Sequence, residues 1–461
     1  MVTARIKPLD AIWLMMESAD TPMHVGVLAT FQKPRNAPSN YLSKWSEDAR
    51  VSGNLAAPWN YRLHDKSGSS LGQRLVEETD FDLDYHFRHS ALPRPGGERE
   101  LGVMVSRLHS HPLDRGRPLW EFHLIEGLER NRFAFYLKVH HALIDNVNGI
   151  SLALSALSDS ARARNMLPLW EQPLHAEERS EEEGQNDVLS TGLDTAASVG
   201  KAVSGFFRNT FKRGDDGSFL LPSGTPRSTL NRHINSQRRF ATQQFEQQRI
   251  ERLAAVTDST MNEILAYLCG SSLRRFFKEY NALPEESLVA ALPVSLQERS
   301  KKLPGNAIAG LRVALATHIG DPLARLDAIK VSMAEVRRDR ASLPDAAVTA
   351  YVLMRAAPVY ASQMPTLGRL VPPLFNLSVS NTPGPERPKY FNGARLESIY
   401  PMSPLMQFTA LSVDCVSYAG TINIGFTGAR DTLPHLQRMA VYVGKALTDL
   451  EELLQLAQEA Q

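Results

Sequence analysis

The sequence predicts a mixed α/β (α+β) protein whose two halves each combine strands and helices. Apolar and aromatic runs of strand length occur in both halves, between segments of helical periodicity. The two kinds of element do not alternate regularly, and no glycine-rich phosphate loop follows a strand, so a nucleotide-binding fold is not expected. An acidic, polar run at 177–184 begins a linker. We therefore expect two units, 1–179 and 226–461, joined by residues 180–225.

Composition limits the classes of function. The 461 residues include 51 lysines and arginines against 50 aspartates and glutamates, so no global field indicates nucleic-acid binding. Cys269 and Cys415 are too few for a disulfide framework and are typical of a reducing cytoplasm. The N-terminus has no signal-peptide pattern, and no uncharged apolar run approaches the roughly 18 residues of a membrane span. The expected protein is cytoplasmic, either soluble or peripheral to a membrane.

A hairpin is the clearest element of the first half. Residues 120–125 and 133–139 are apolar and aromatic and flank a turn at 127–131, which predicts two antiparallel strands. Trp120, at the start of the first strand, is expected to anchor the core. The other predicted elements are a helix at 11–16 capped by Asp10, a strand at 23–31, a strand followed by a loop at 81–98, and a helix from Gly149.

Two adjacent histidines, His140 and His141, end this hairpin, and Asp145 follows in the next turn. Side chains alternate along a strand, so we expect the two rings to point in opposite directions, one toward a cavity. The motif contains no serine or cysteine nucleophile. A histidine base with a nearby carboxylate suits direct proton abstraction from a substrate hydroxyl. The sequence also lacks G-x-S-x-G, so a serine hydrolase is not expected.

Other histidines are interpreted as structural. His24 lies in a predicted strand, where a hydrogen-bonded core histidine is more common than a ligand. His86, His89 and His109 lack the spacing of metal ligands. A metal site at the histidine pair itself is disfavoured because adjacent strand side chains diverge, so no metal is expected.

The second half contains several strand and helix patterns. The predicted strands are 239–245, 288–294, 374–380 and a hairpin of 408–416 with 421–426 about Ala419-Gly420, and the predicted helices are 261–277 and 433–454. Before them, residues 188–211 have an apolar stripe at near-helical spacing and a basic end. This segment suits either an anionic lipid surface or a bridge between the halves.

Five stretches together resemble a known family. His-His-x-x-x-Asp before a small residue is similar to the HHxxxDG signature of the CoA-dependent acyltransferase superfamily, which includes chloramphenicol acetyltransferase and peptide-synthetase condensation domains. TPMHVG at 21–26, PLDRGRPLWE at 112–121, NTPGP at 381–385 and SYAG at 417–420 resemble the bacterial wax ester synthase/diacylglycerol acyltransferases. They occur in that family's order and span nearly the whole chain. The chain is identified as a member of that family.

The resemblance implies two chloramphenicol-acetyltransferase-like lobes in a V, with the active site in a tunnel between them. It implies transfer of a long acyl chain from acyl-CoA to a fatty alcohol, a diacylglycerol, or both, giving wax esters or triacylglycerols. Acyl-CoA would be a substrate, and no cofactor is expected. The water-insoluble products imply a cytoplasmic enzyme peripheral to the inner membrane or to lipid inclusions.

The same resemblance implies roles for particular residues. His141 corresponds to the general base, His140 to a supporting residue, and Asp145 to a structural residue paired with an arginine, for which Arg430 is the candidate. No covalent acyl-enzyme is implied. Contacts to substrate are implied at Asn146, Asn262, Leu405 and Gln407. The stretch 405–410, which contains Leu405, is expected either to line the tunnel or to pack in the core.

Two positions depart from the family pattern. Asn146 stands where the signature has glycine, and Glu263 follows Asn262 where the family has aspartate. Asparagine tolerates positive φ, but its side chain occupies space beside His141. These departures leave a second hypothesis open, a weakened paralogue that binds acyl lipid or coats lipid inclusions. A third, a condensation enzyme using carrier-protein thioesters, is less favoured because no carrier or adenylation module adjoins.

Overall fold

The fold is built on two six-stranded mixed sheets, with a small three-stranded sheet beside the first. The computed structural model describes residues 3–6, 8–51, 54–64, 73–144, 146–172, 225–295, 308–341, 363 and 373–455. The predicted mixed α/β fold is confirmed. The segment 188–211 and nearly all of the predicted linker, 180–224, lie outside the described residues.

The first sheet has the order β12-β13-β2-β7-β6-β5, and only β5 and β6 pair in parallel. β2 and β7 pair along nine residues, with His24 opposite His140. The predicted hairpin is confirmed, and Arg130 and Asn131 in its turn have positive φ. The strands are β2 His24–Gln32, β5 Phe87–Ala91, β6 Trp120–Leu128, β7 Arg132–His140, β12 Tyr390–Phe391 and β13 Ala394–Met402.

Two strands of this sheet come from the second half of the chain. β13 lies antiparallel to β2, from Arg395 opposite Gln32 to Met402 opposite Gly26. No element was predicted there. The range 226–461 therefore contributes to both sheets, and the two lobes share backbone hydrogen bonds rather than meeting only at side chains.

The second sheet has the order β10-β9-β11-β14-β15-β8. The predicted hairpin about Ala419 and Gly420 is present, and both residues have positive φ. The strands are β8 Arg238–Glu246, β9 Val289–Ser295, β10 Ile308–Ala314, β11 Leu377–Pro383, β14 Leu411–Tyr418 and β15 Thr421–Ala429, of which β10 was not predicted. The small sheet holds β1 Thr3–Arg5, β3 Tyr61–Leu63 and β4 Arg74–Glu77.

The helices correct two predictions. α1 begins at Pro8, so Asp10 lies inside its first turn and is not the cap; proline suits the first turn because its missing N–H needs no partner there. Residues 81–98 begin with a helical turn, capped by Asp82, before β5. The helices are α1 Pro8–Met16, α2 Tyr41–Val51, α3 Leu83–His86, α4 Glu98–Ser110, α5 Asn146–Ser155, α6 Gln247–Val256, α7 Met261–Glu279, α8 Pro322–Ala341 and α9 Gln437–Leu453.

Helix α4 joins the first lobe to the edge strand of the second sheet. Its Ser106 and Ser110 hydroxyls accept the backbone N–H groups of Phe240 and Arg238, both at 2.8 Å. These bonds satisfy donors that an edge strand leaves unpaired. The lobes are therefore fixed to each other near the end of α4.

Candidate active site

The two histidines of the motif lie where β7 ends. The strand stops at His140, and residues 141–143 form a turn; we call residues 140–143 the histidine turn. The His140 N–H donates to the Leu119 carbonyl at 3.0 Å, and the His141 N–H donates to the Met23 carbonyl at 2.8 Å. The family-like stretches 112–121 and 21–26 thus supply the two carbonyls that hold the turn from either side.

His141 is a buried imidazole with one face covered. Its ring stacks on Trp13 of α1 with centroids 3.7 Å apart and planes 15° apart, and the residue is only 2% exposed. Its Nδ1 finds no hydrogen-bond partner among the described residues. Burial lowers the pKa of His141 to about 3, against the opposing effect of its own backbone carbonyl. The ring is therefore neutral at pH 7 and able to accept a proton.

His140 is fully buried, with a hydrogen bond at one ring nitrogen and a carboxylate near the other. Its Nδ1 accepts the Ala142 N–H at 3.0 Å, and its Nε2 lies 3.5 Å from Glu17 Oε1. Both histidine rings thus meet the same segment, α1 and the residue after it. The strand ends at His140, so its alternation does not extend to His141, and the expectation that the two rings point in opposite directions stays a prediction.

Glu17 is the site residue that sequence reasoning missed. Its Oε1 accepts the Met23 N–H at 3.1 Å, and its Oε2 lies 4.0 Å from Arg115 Nε. Burial raises the pKa of Glu17, but the neighbouring His140 ring, the Met23 N–H and Arg115 together lower it below its usual value. The carboxylate is therefore ionised at neutral pH. The available signal was its spacing four residues after Trp13, which places two side chains on one helix face.

The remaining residues of the motif are only partly described. Asp145 and the Asn146 side chain lie outside the described residues, although Asn146 begins α5. The predicted arginine partner, Arg430, lies 3.5 Å from Asp431 and is half-exposed. The pairing of Asp145 with Arg430 stays a prediction.

The other family-like stretches meet at the second sheet. Asn381 Nδ2 donates to Asn262 Oδ1 at 2.8 Å, linking the end of β11 to the start of α7. A Cβ at Gly384 would overlap the Ser417 carbonyl oxygen, so only glycine allows NTPGP to pack on the SYAG hairpin. The Ala419 N–H donates to the Pro385 carbonyl at 2.9 Å.

Glu263, the second departure from the family pattern, has a structural position. Its carboxylate accepts the Thr260 N–H at 2.8 Å, completing a capping box, and lies 2.9 Å from Arg337 Nη2. The longer side chain is therefore accommodated at the start of α7. Its contacts are all within the second lobe.

Two residues that were predicted to contact substrate in the tunnel, Leu405 and Gln407, have structural contacts within the second lobe. Leu405 is 1% exposed and belongs to the core of the second lobe. The side-chain amide of Gln407 bonds both backbone groups of Ile234, at 3.1 Å to N–H and 3.0 Å to C=O. Their contact with substrate stays a prediction.

Several polar groups are buried near the histidine turn. His24 is buried and its Nε2 donates to the His109 carbonyl at 2.9 Å, whereas its Nδ1 has no partner among the described residues. Lys138 is fully buried on Glu121 at 2.9 Å. Within the described ranges, no cluster of three histidine, cysteine, aspartate or glutamate side chains suits a metal ion. None of the helices described is both long and apolar enough to cross a bilayer.

Known proteins share this arrangement. A condensation domain of the calcium-dependent antibiotic synthetase, 15% identical, superposes with a TM-score of 0.54 over 98% of this chain and 96% of its own, which shows a common fold. A wax ester synthase/diacylglycerol acyltransferase of Marinobacter aquaeolei superposes with a TM-score of 0.78 at 32% identity, covering 97% of this chain and 99% of its own. The chain thus has a condensation-domain-like fold, in the form found in a solved wax ester synthase/diacylglycerol acyltransferase.

Sequence comparison narrows the class to a family. The wax ester synthase/diacylglycerol acyltransferase catalytic-domain model matches residues 6–265, and the C-terminal-domain model of the same family matches 304–451. A Mycobacterium tuberculosis protein provisionally named a diacylglycerol O-acyltransferase is 38% identical, with 97% of each chain covered. An O-acyltransferase of Acinetobacter baylyi is 34% identical, over 98% of this chain and 96% of its own. The chain belongs to the wax ester synthase/diacylglycerol acyltransferase family and is an acyltransferase of that type.

Proposed function

We propose that this protein transfers a long-chain acyl group from acyl-CoA to a fatty alcohol or diacylglycerol, with His141 as general base and without a covalent acyl-enzyme. The observation that supports this most directly is the state of His141, a neutral imidazole buried where β7 ends. A neutral ring can take the hydroxyl proton as the oxygen attacks, an effect typically worth about 100- to 10,000-fold.

The acyl transfer can be completed without a nucleophile from the protein. The alcohol oxygen attacks the thioester carbonyl while its proton passes to His141; the tetrahedral centre then collapses, the C–S bond breaks, and the imidazolium protonates the thiolate. A pKa of about 3 makes His141 a weak base in the free protein. The oxyanion and thiolate formed in the reaction would supply the negative charge that stabilises the imidazolium.

The supporting roles follow from the histidine turn. His140 fixes the turn through its bond to the Ala142 N–H, and Asp145 is proposed to brace the same loop. Asn146 is proposed to lie beside the acceptor because it begins α5 just after the motif. The water-insoluble acceptors favour work at the surface of a membrane or lipid inclusion on the cytoplasmic side, which flotation with liposomes would test.

A thiol-release assay tests the proposal. Purified protein is incubated with palmitoyl-CoA alone, with hexadecanol, and with diacylglycerol, and free thiol and ester are both measured. We expect equal thiol and ester, dependent on an acceptor and insensitive to chelator. Binding of palmitoyl-CoA with no ester from either acceptor would contradict the proposal and favour the lipid-binding or inclusion-associated alternative.

A further inference from the structure

The α1 segment contacts both histidines of the motif. Trp13 covers one face of the His141 ring, and Glu17 approaches the His140 ring. The Glu17 N–H still donates to the Trp13 carbonyl at 3.2 Å, so the helical spacing continues past the end of α1. The two side chains therefore come from one face of one short segment.

Glu17 also supports the backbone of His141. Its carboxylate accepts the Met23 N–H at 3.1 Å, and the carbonyl of that same Met23 accepts the His141 N–H at 2.8 Å. The carboxylate thus reaches the turn by two routes, through Met23 to the His141 backbone and directly to the His140 ring. A change at Glu17 would loosen both.

The contacts of His140 define its tautomer. Its Nδ1 accepts the Ala142 N–H at 3.0 Å, so this nitrogen has no proton. A neutral imidazole then has its proton on Nε2, the atom that lies 3.5 Å from Glu17 Oε1. The opposite tautomer would place two N–H groups against each other at Ala142 and break the turn.

We propose that Glu17 is a positioning residue of the acyl transfer, holding His140 as its Nε2–H tautomer and thereby fixing the turn that presents His141. Glu17 acts through the two histidines and does not touch substrate. The inference rests on the proposed function, since it assigns a role in the reaction of His141. It explains why a buried carboxylate lies at the end of α1 with no other charged partner closer than Arg115, at 4.0 Å, in the described chain.

Two substitutions separate hydrogen bonding from charge and volume. Glu17→Gln keeps an oxygen that accepts from the Met23 N–H and can lie beside His140 Nε2, whereas Glu17→Met keeps the length but removes the acceptor. We expect Glu17→Met to lower kcat about 100-fold, the loss that misplacing a reacting group by about 1 Å produces. KM for palmitoyl-CoA should stay within about twofold, because the interaction acts on the transition state. Glu17→Gln should keep kcat within about fivefold of wild type.

The matched control is Glu126→Met. Glu126 Oε1 also lies 3.5 Å from a histidine Nε2, that of His89, but this pair has no connection to the histidine turn. It should leave kcat unchanged. Wild-type kcat in Glu17→Met, or an equal loss of kcat in the Glu126 variant, would overturn the proposal.

Nitrogen NMR of His140 tests the geometry without activity. The wild type and Glu17→Gln should show the Nε2–H tautomer, and a Nδ1–H tautomer in the wild type would overturn the proposal even if Glu17→Met fails to fold. If the wild type forms no ester with either acceptor, the proposed function fails, while the tautomer measurement still reports on the contacts of His140 with Ala142 and Glu17.

Discussion

The two halves of the molecule bury different kinds of polar group. Six histidines are buried in the described chain, and all lie in the first half, at or before His141. The described histidines of the second half, His233, His318 and His435, are exposed. Four of the six buried histidines, namely His24, His123, His140 and His141, keep a ring nitrogen without a hydrogen-bond partner among the described residues.

The second half buries no histidine among its described residues, and its most enclosed carboxyl group is Asp414. Asp414 is 1% exposed, and the hydroxyls of Ser380, Ser403 and Ser412 donate to it at 2.7 to 3.0 Å. Burial raises the pKa of Asp414 in spite of these bonds. The carboxyl is fully coordinated, which suits a structural role. A buried imidazole with a ring nitrogen that lacks a hydrogen-bond partner is a candidate for proton transfer, which supports the proposal that the reaction takes place at the first lobe.

The largest effect on the rate of ester formation is expected when the proposed base, His141, is replaced. His141→Ala should lower kcat by about 100- to 10,000-fold, because proton removal from the acceptor is lost. His140→Ala should give a smaller loss or a lower folding yield, and His86→Phe should retain activity. The measurement is ester formation by variants with native circular dichroism. Equal, near-complete losses in well-folded His140→Ala and His141→Ala would contradict the assignment.

The buried histidines also predict a pH dependence of stability. Burial lowers the pKa of His86 to about 4, although its hydrogen bond to the Trp120 carbonyl opposes this. The unfolded chain protonates His86 near pH 6.5, so its contribution is present above that pH and is lost as pH falls toward 4. At pH 5 the expected loss is about 2 kcal/mol in the free energy of unfolding.

Denaturant unfolding between pH 7 and pH 4 measures this loss. His86→Phe should show a shallower decline of stability below pH 6.5 than the wild type. A parallel decline in both proteins would show that His86 is not held neutral.

A smaller effect is expected on the choice between the two acceptors, which Asn146 of the first lobe is proposed to influence. If the Asn146 side chain narrows the space beside His141, a diacylglycerol should suffer more than a linear primary alcohol. The wild type should then prefer fatty alcohols, and Asn146→Gly should raise the relative use of diacylglycerol about tenfold, or ~1.4 kcal/mol. Ratios of kcat/KM for the two acceptors decide the matter. An unchanged ratio would make Asn146 a tolerated turn residue.

The smallest expected effect is on stability alone, and it tests whether the second lobe has a purely structural role. Thr260 Oγ1 accepts the Glu263 N–H in the capping box of α7, and Thr260→Ala should cost about 1 kcal/mol of stability. Activity per folded molecule should be unchanged, and Thr260→Ser should restore the lost stability. Loss of kcat without loss of stability would give this lobe a direct part in the reaction.

The sequence predicted what is locally encoded. The β6–β7 hairpin and the strand before His140 follow from apolar runs about a short turn, and the structure confirms both. β13 was missed because it is recognisable only through its pairing with β2, more than 360 residues away in sequence. Such pairing is set by tertiary context rather than by local propensity.

The candidate site, like the fold, was predictable from the sequence only where its residues are close together in the chain. The histidines and their neighbours come from a contiguous motif, whereas Glu17 depends on how α1 docks. The opposite directions of the histidine rings stay a prediction, because they were taken from strand alternation and β7 ends at His140. Asp10 was misplaced as a cap because Pro8 allows the helix to begin earlier.

The central claim is direct transfer by a base in the first lobe, and acyl-enzyme trapping tests it most directly. Protein at high concentration is mixed with palmitoyl-CoA in the absence of acceptor, quenched, and analysed for free thiol and intact mass. The account predicts no stoichiometric thiol release and no palmitoyl addition, with thiol and ester appearing together once hexadecanol is added. A burst of thiol equal to the enzyme concentration, with a palmitoylated protein mass, would contradict it.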